Sequence, residues 1–177
     1  MPNPLSQISS FLGGSPSPPS ATQHQQDYLQ AIQARDYESA LPQVEAAVRC
    51  GDPIAMRYLG TYYAFGLASC AKDPESATAW YRQAAVHGDA KGQCALGINL
   101  AIGSGAPLDL EEAAFWLYKA CCQRDPIAAK ALGQLVYQNP RLIGKYFSED
   151  EFMRLINDAR KVELRKRTSH SSPDRAL

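Results

Sequence analysis

From residue 36 onward, short polar breaks separate blocks whose apolar residues return every third or fourth position, as helices with one buried face require. Leu59, Gly60 and Tyr63 form such a set; Leu96, Gly97 and Leu100, then Leu132, Gly133 and Val136, repeat it. Each break carries an aspartate that can accept hydrogen bonds from the free amides of the helix it opens: Asp36, Asp52, Asp73, Asp89, Asp109 and Asp125. Pro53, Pro74 and Pro126 follow three of them, at the helical position where a missing N–H costs nothing. Glu112, three after Asp109, and Glu151, three after Ser148, add capping-box partners. The pattern predicts helices over 23–35, 37–50, 53–66, 74–87, 90–103, 110–123, 126–138 and 149–166, and no strands.

The blocks are copies of one another. Gly51-Asp52, Gly88-Asp89 and Arg124-Asp125 stand 37 and 36 residues apart, and Ala40, Ala77 and Ala113 keep the same register. The one-residue excess is a loop residue, since Asp73 lies seven after Gly66 whereas Asp109 lies six after Gly103. A period of this length in helical sequence marks stacked helix pairs, each burying its apolar face only against its neighbours. The expected fold is therefore all-α: a right-handed α-solenoid of stacked antiparallel helix pairs, closed by a C-terminal capping helix over 149–166. Gly60, Gly97 and Gly133, with Ala84, Ala85 and Ala120, let paired helices approach closely. Trp80, Tyr81 and Trp116, with Leu59, Leu96 and Leu132, supply apolar area worth about 1.5–3 kcal/mol each when buried.

One stretch carries a family resemblance. Ala55-x-x-x-Leu59-Gly60-x-x-Tyr63-x-x-Gly66, followed by Asp73-x-x-x-Ala77-x-x-Trp80-Tyr81-x-x-Ala84-Ala85-x-x-Gly88, closely resembles the Sel-one-like repeat, a relative of the tetratricopeptide repeat. The second copy reads Leu96-Gly97, Gly103-Ser104-Gly105, Asp109, Ala113, Trp116 and Ala120. Ala68 stands where copy one should have its second loop glycine, Gly92 replaces an alanine, and Asn139-Pro140 replaces the loop of copy three. The resemblance covers residues 37 to 138 and implies a protein-binding scaffold.

Composition bounds the partners. The chain of 177 residues is 45% hydrophobic, enough to fill one core, and its eighteen basic and eighteen acidic residues create no field to draw nucleic acid. No apolar run approaches the roughly 18 residues that span a membrane. The N-terminus has neither the basic nor the unbroken apolar region of a secretory signal. Cys50, Cys70, Cys94, Cys121 and Cys122 are odd in number and show no CxxC spacing, so they read as reduced thiols, four of them packing residues, and the compartment as cytoplasmic. Residues 1–22, rich in Ser and Pro, read as a disordered tail, 23–166 as the repeat domain and 167–177 as a second disordered tail. The uncharged leader is similar in composition to the export signals of bacterial type III substrates, which leaves secretion open.

Reactive groups do not converge. Ser69-Cys70-Ala71-Lys72 matches a Ser-x-x-Lys pattern but falls in an inter-helix loop without its companion motifs. His24, His87 and His170 lie far apart, and no phosphate-binding glycine loop precedes a lysine. The expectation is no enzyme, no catalytic or metal residues and no cofactor. A stripe at i, i+4 and i+7 beside each Leu-Gly pair is expected to line the concave surface. It comprises Arg57, Thr61 and Phe65 from the first copy, Lys91, Ile98 and Ile102 from the second, and Lys130, Gln134 and Tyr137 from the third, with Cys94 in the same register. Mildly basic and partly apolar, it suits a protein or peptide partner carrying acidic and hydrophobic side chains, bound by a monomer. Two classes of function remain: an interaction module (scaffold, adaptor or chaperone), or an immunity protein or effector linked to a bacterial secretion system.

Overall fold

The computed structural model describes residues 21–169. They form eight α-helices: α1 (Ala21–Gln33), α2 (Tyr37–Arg49), α3 (Pro53–Phe65), α4 (Pro74–Val86), α5 (Ala90–Ile102), α6 (Leu110–Cys122), α7 (Pro126–Gln138) and α8 (Glu149–Ser169). A short 3-10 turn, Pro140–Leu142, joins the last two, and there is no strand among the described residues. The first expected tail lies outside the described residues up to residue 20, and residues 21 and 22 already belong to α1. The second is helical as far as Ser169 and outside the described residues beyond it.

All six aspartates cap as their spacing requires. Asp52 accepts from the Ile54 amide at 2.8 Å and Asp125 from Ile127 and Ala128 at 2.9 and 2.8 Å. Asp89 accepts from Gly92 at 2.7 Å, while Asp36, Asp73 and Asp109 do the same for α2, α4 and α6. Ser148 and Glu151 close the expected reciprocal box at the start of α8. Glu112 does not. Its carboxylate turns away from the cap to Arg82 of α4, the second guanidinium bond being 3.1 Å, and accepts from Trp116 Nε1 at 3.0 Å. An ion pair between helices has replaced the local bond, and the Arg82 guanidinium holds the Glu112 carboxyl below its ordinary value.

Packing follows the chain: α1 on α2, α3 on α4 and α5 on α6 as pairs, with each pair resting on the next. Helices α3, α5 and α7 also pack side by side, whereas α4 and α6 make no comparable contact. A stack curves toward its tighter layer, so α3, α5 and α7 line the inner face. Helix α8 packs on α7 and touches α6, closing the third pair as a cap.

Two linked cores fill the stack. One holds Tyr28, Val44, Leu59 and Tyr62; the other holds Leu96, Leu100, Leu117, Leu132 and Phe147. Trp116 is buried at 9% exposure, but Trp80 is only half-buried and Tyr81 takes the interior place beside it. The repeat glycines explain the close approach. A Cβ on Gly60 would meet the Tyr81 ring at 2.8 Å, and one on Gly97 would meet Leu117 Cγ at 2.7 Å. Gly105 lies against the preceding pair so closely that a Cβ would fall 1.8 Å from the Pro74 carbonyl oxygen. Ala68, its counterpart in copy one, keeps the left-handed backbone at φ 54° without being glycine. Of the cysteines, Cys94 and Cys121 are buried, Cys70 is half-buried, and Cys50 and Cys122 are exposed, so two thiols lie in the core where four packing cysteines were expected.

Candidate partner-binding surface

The inner face is built from the solvent side of α3, α5 and α7. Within their helical spans these three carry one cation each and no carboxylate: Arg57, Lys91 and Lys130. The outer helices α4 and α6 carry Glu75, Glu111 and Glu112. The acids next to these three helices are their cap aspartates, which face their own helix starts.

Arg57 is not a free anchor. Its Nε donates to Asp89 Oδ2 at 2.8 Å with both side chains mostly covered, and its guanidinium lies 4.3 Å from the centre of the Tyr58 ring. It ties α3 to the cap of α5. The same position in copy two is Cys94, buried against Asp125, and one repeat earlier Tyr28 donates its hydroxyl to Asp52 at 2.7 Å. The cap aspartates of α3 and α5 thus each receive a side chain from the preceding inner helix, and the burial of Cys94 takes it out of the accessible stripe. Thr61 is half-buried, its hydroxyl donating to the Arg57 carbonyl at 3.1 Å. Ile98 packs partly into the core.

The remaining stripe residues are open. Phe65 is 71% exposed, Ile102 67% and Tyr137 87%, while Lys91, Lys130 and Gln134 are exposed. Phe65 and Ile102 are the last residues of α3 and α5, each followed by a left-handed glycine, Gly66 or Gly103. Tyr137 lies at the same end of α7, on the flank that a further inner helix would cover. The ion pairs among the described residues engage neither Lys91 nor Lys130. The sequence stripe omitted Ile127, 62% exposed on the first turn of α7 in the register of Lys91; its spacing would have found it.

A profile of the Sel1 repeat matches residues 53–89 and 90–125. These segments are Sel1 repeats. Their limits fall at the starts of α3 and α5 and at the cap of α7, so each repeat is one inner and one outer helix with the next cap. Among solved structures, the chain is similar to a Sel1 repeat protein from Oxalobacter formigenes, at 27% identity and a TM-score of 0.68, covering 78% of this chain and 53% of that one. It shares its fold with c5321, described as a protective antigen present in uropathogenic Escherichia coli strains displaying an SLR fold. That match has 20% identity and a TM-score of 0.67, and covers 91% of this chain and 34% of that one. The chain thus spans about half of the first of these Sel1 structures and a third of the second. No functionally curated protein matches it in sequence. Among the described residues, no helix is long and apolar enough to cross a membrane.

Proposed function

We propose that this Sel1-repeat stack is a protein-interaction module, a scaffold or adaptor that holds a protein or peptide on its inner face without chemistry of its own. The observation that carries the reading is the set Phe65, Ile102 and Tyr137, left open at the ends of helices whose lysines, Lys91 and Lys130, enter no ion pair among the described residues. Large apolar and aromatic groups dominate binding energy once a partner dehydrates them, and flanking cations speed the encounter with an acidic surface. The partner is then a segment with hydrophobic side chains and carboxylates. The buried thiols Cys94 and Cys121 support a reducing compartment such as the cytoplasm as its place of work.

Site-specific photo-crosslinking tests the assignment in the cell that makes the protein. A photoreactive residue at position 102 or 137 should capture a discrete partner, and one at position 86 on the outer layer should not. Capture from position 86 alone would move the site to the outer face.

A further inference from the structure

Each inner helix seats the next one on a fixed stripe, and α7, the last of them among the described residues, presents that stripe to solvent. On α3 the stripe is Arg57, Thr61 and Ala64, none of them exposed; on α5 it is buried Cys94 with half-buried Ile98 and Ala101. Arg57 donates to Asp89, the cap of α5, and Cys94 is buried against Asp125, the cap of α7. On α7 the same register holds Lys130, Gln134 and Tyr137. All three are exposed, Tyr137 at 87%, and Lys130 enters no ion pair among the described residues.

The outer layer repeats the contrast. Tyr81, Leu117 and Ile156 each face the glycine of their own inner partner, Gly60, Gly97 or Gly133. Three residues before them stand Thr78, Ala114 and Met153. Thr78 and Ala114 are buried, and Thr78 Oγ1 accepts from Asn99 of the following inner helix at 2.8 Å. Met153 is 50% exposed. A stack end made only to face water is polar. This one carries a tyrosine on α7 and a methionine on α8, with one cation on the same stripe as the tyrosine.

We infer that the α7–α8 end of the stack is a second docking site, taken by a helix of a partner protein that opens on a carboxylate and lies on α7 as a further inner helix. Its cap or first-turn acid meets Lys130 as Asp89 meets Arg57, and its apolar side covers Tyr137 and Met153. A second copy of this chain does not supply that acid. Continued head to tail, the stack would receive α1, which has none in its first turn. The inference rests on the stack being an interaction module and places this site at its end, away from Phe65 and Ile102.

The test uses the full chain and a labelled synthetic peptide of residues 124–139, an inner helix with its own cap, Asp125. Its positions 130 and 134, on the side away from the seat, are joined by a hydrocarbon staple, and circular dichroism verifies that it is helical. The peptide should bind the chain. Lys130→Ala in the chain and Asp125→Asn in the peptide should each weaken binding about tenfold, and both together no more than either alone. Tyr137→Ser with Met153→Ser should abolish it, with the helix content of the chain unchanged. Losses that add, or binding indifferent to Lys130→Ala, would overturn the inference, the second by showing that the peptide merely exchanges with α7. A dimer or longer assembly of the chain that Lys130→Ala disperses would overturn it too, by giving the end to a second copy. If the helical peptide fails to bind while crosslinking at position 102 still captures a partner, the end site is excluded and the inner face stands.

Discussion

Arg57 Nε donates to Asp89 Oδ2 at 2.8 Å across 32 residues, and the same carboxylate oxygen caps α5 through the Gly92 amide at 2.7 Å. One aspartate therefore fixes a helix start and joins two repeats. Removing it strips a mostly covered guanidinium and uncaps a helix, each costly. Asp89→Ala should cost on the order of 3 kcal/mol in urea denaturation, while Asp89→Ser, which retains a capping oxygen, should cost about half as much. No loss for Asp89→Ser would show that the ion pair contributes nothing, and equal losses for the two would show that the cap contributes nothing.

The repeat position of Gly97 and Gly133 carries opposite predictions. A Cβ at 97 meets Leu117 Cγ at 2.7 Å and the Ala113 carbonyl oxygen at 3.1 Å, neither of which can move without shifting α6. Gly97→Ala should destabilise by about 1–2 kcal/mol, overpacking outweighing the gain in helix propensity. At 133 the nearest atom is Ile156 Cδ1 at 3.5 Å, an ordinary contact with the cap helix. Gly133→Ala should therefore stabilise by about 1 kcal/mol. Paired thermal melts decide it, and a loss at both positions would mean that α8 packs on α7 as tightly as α6 does on α5.

Those contrasts show what the sequence can convey. The caps at Asp36 to Asp125 were legible because a cap is a contact between residues two or three apart. The helix limits and the open ends at Phe65, Ile102 and Tyr137 followed from period alone. The fate of Arg57 did not, because its partner is 32 residues away and is reached only once the stack has curved. Glu112 looked like a capping-box partner by spacing, yet Arg82, thirty residues distant, offered a bidentate bond that a backbone amide cannot match. Trp80 and Trp116 share a repeat position, but the half-buried Trp80 shows that register gives the direction of a side chain and the neighbours give its depth.

Burial pushes the thiols of Cys94 and Cys121 up to about 12, with Asp125 adding to the effect at Cys94 and Cys122 at Cys121. In the native protein at pH 8, a thiol reagent should label Cys50 and Cys122 quickly and these two only on unfolding. The sign for stability follows. Below about 9 both states hold these protons; above it the unfolded chain releases them first, so stability falls as pH rises from about 9 toward 12. Urea midpoints measured between pH 8 and 10.5 should decline, and Cys94→Ala/Cys121→Ala should flatten that decline. An unchanged slope would place the titration elsewhere.

Arg124 holds φ at 64° in the position where Gly51 and Gly88 hold 82° and 91°. All three precede a cap aspartate and turn the chain from an outer helix into the next inner one. A left-handed backbone costs a side-chain-bearing residue about 1–2 kcal/mol, and glycine avoids it. Arg124 is exposed, so its replacement removes no buried contact. The greater freedom of glycine in the unfolded chain returns part of the gain. Arg124→Gly should therefore stabilise by about 0.5–1 kcal/mol, while Gly88→Ala should destabilise by about 1 kcal/mol, since a Cβ there meets nothing within 4 Å and only the backbone strain remains. Measured together, the two changes isolate the conformational cost from packing. A stabilising Gly88→Ala would show that the turn relaxes to an ordinary φ once a side chain is present.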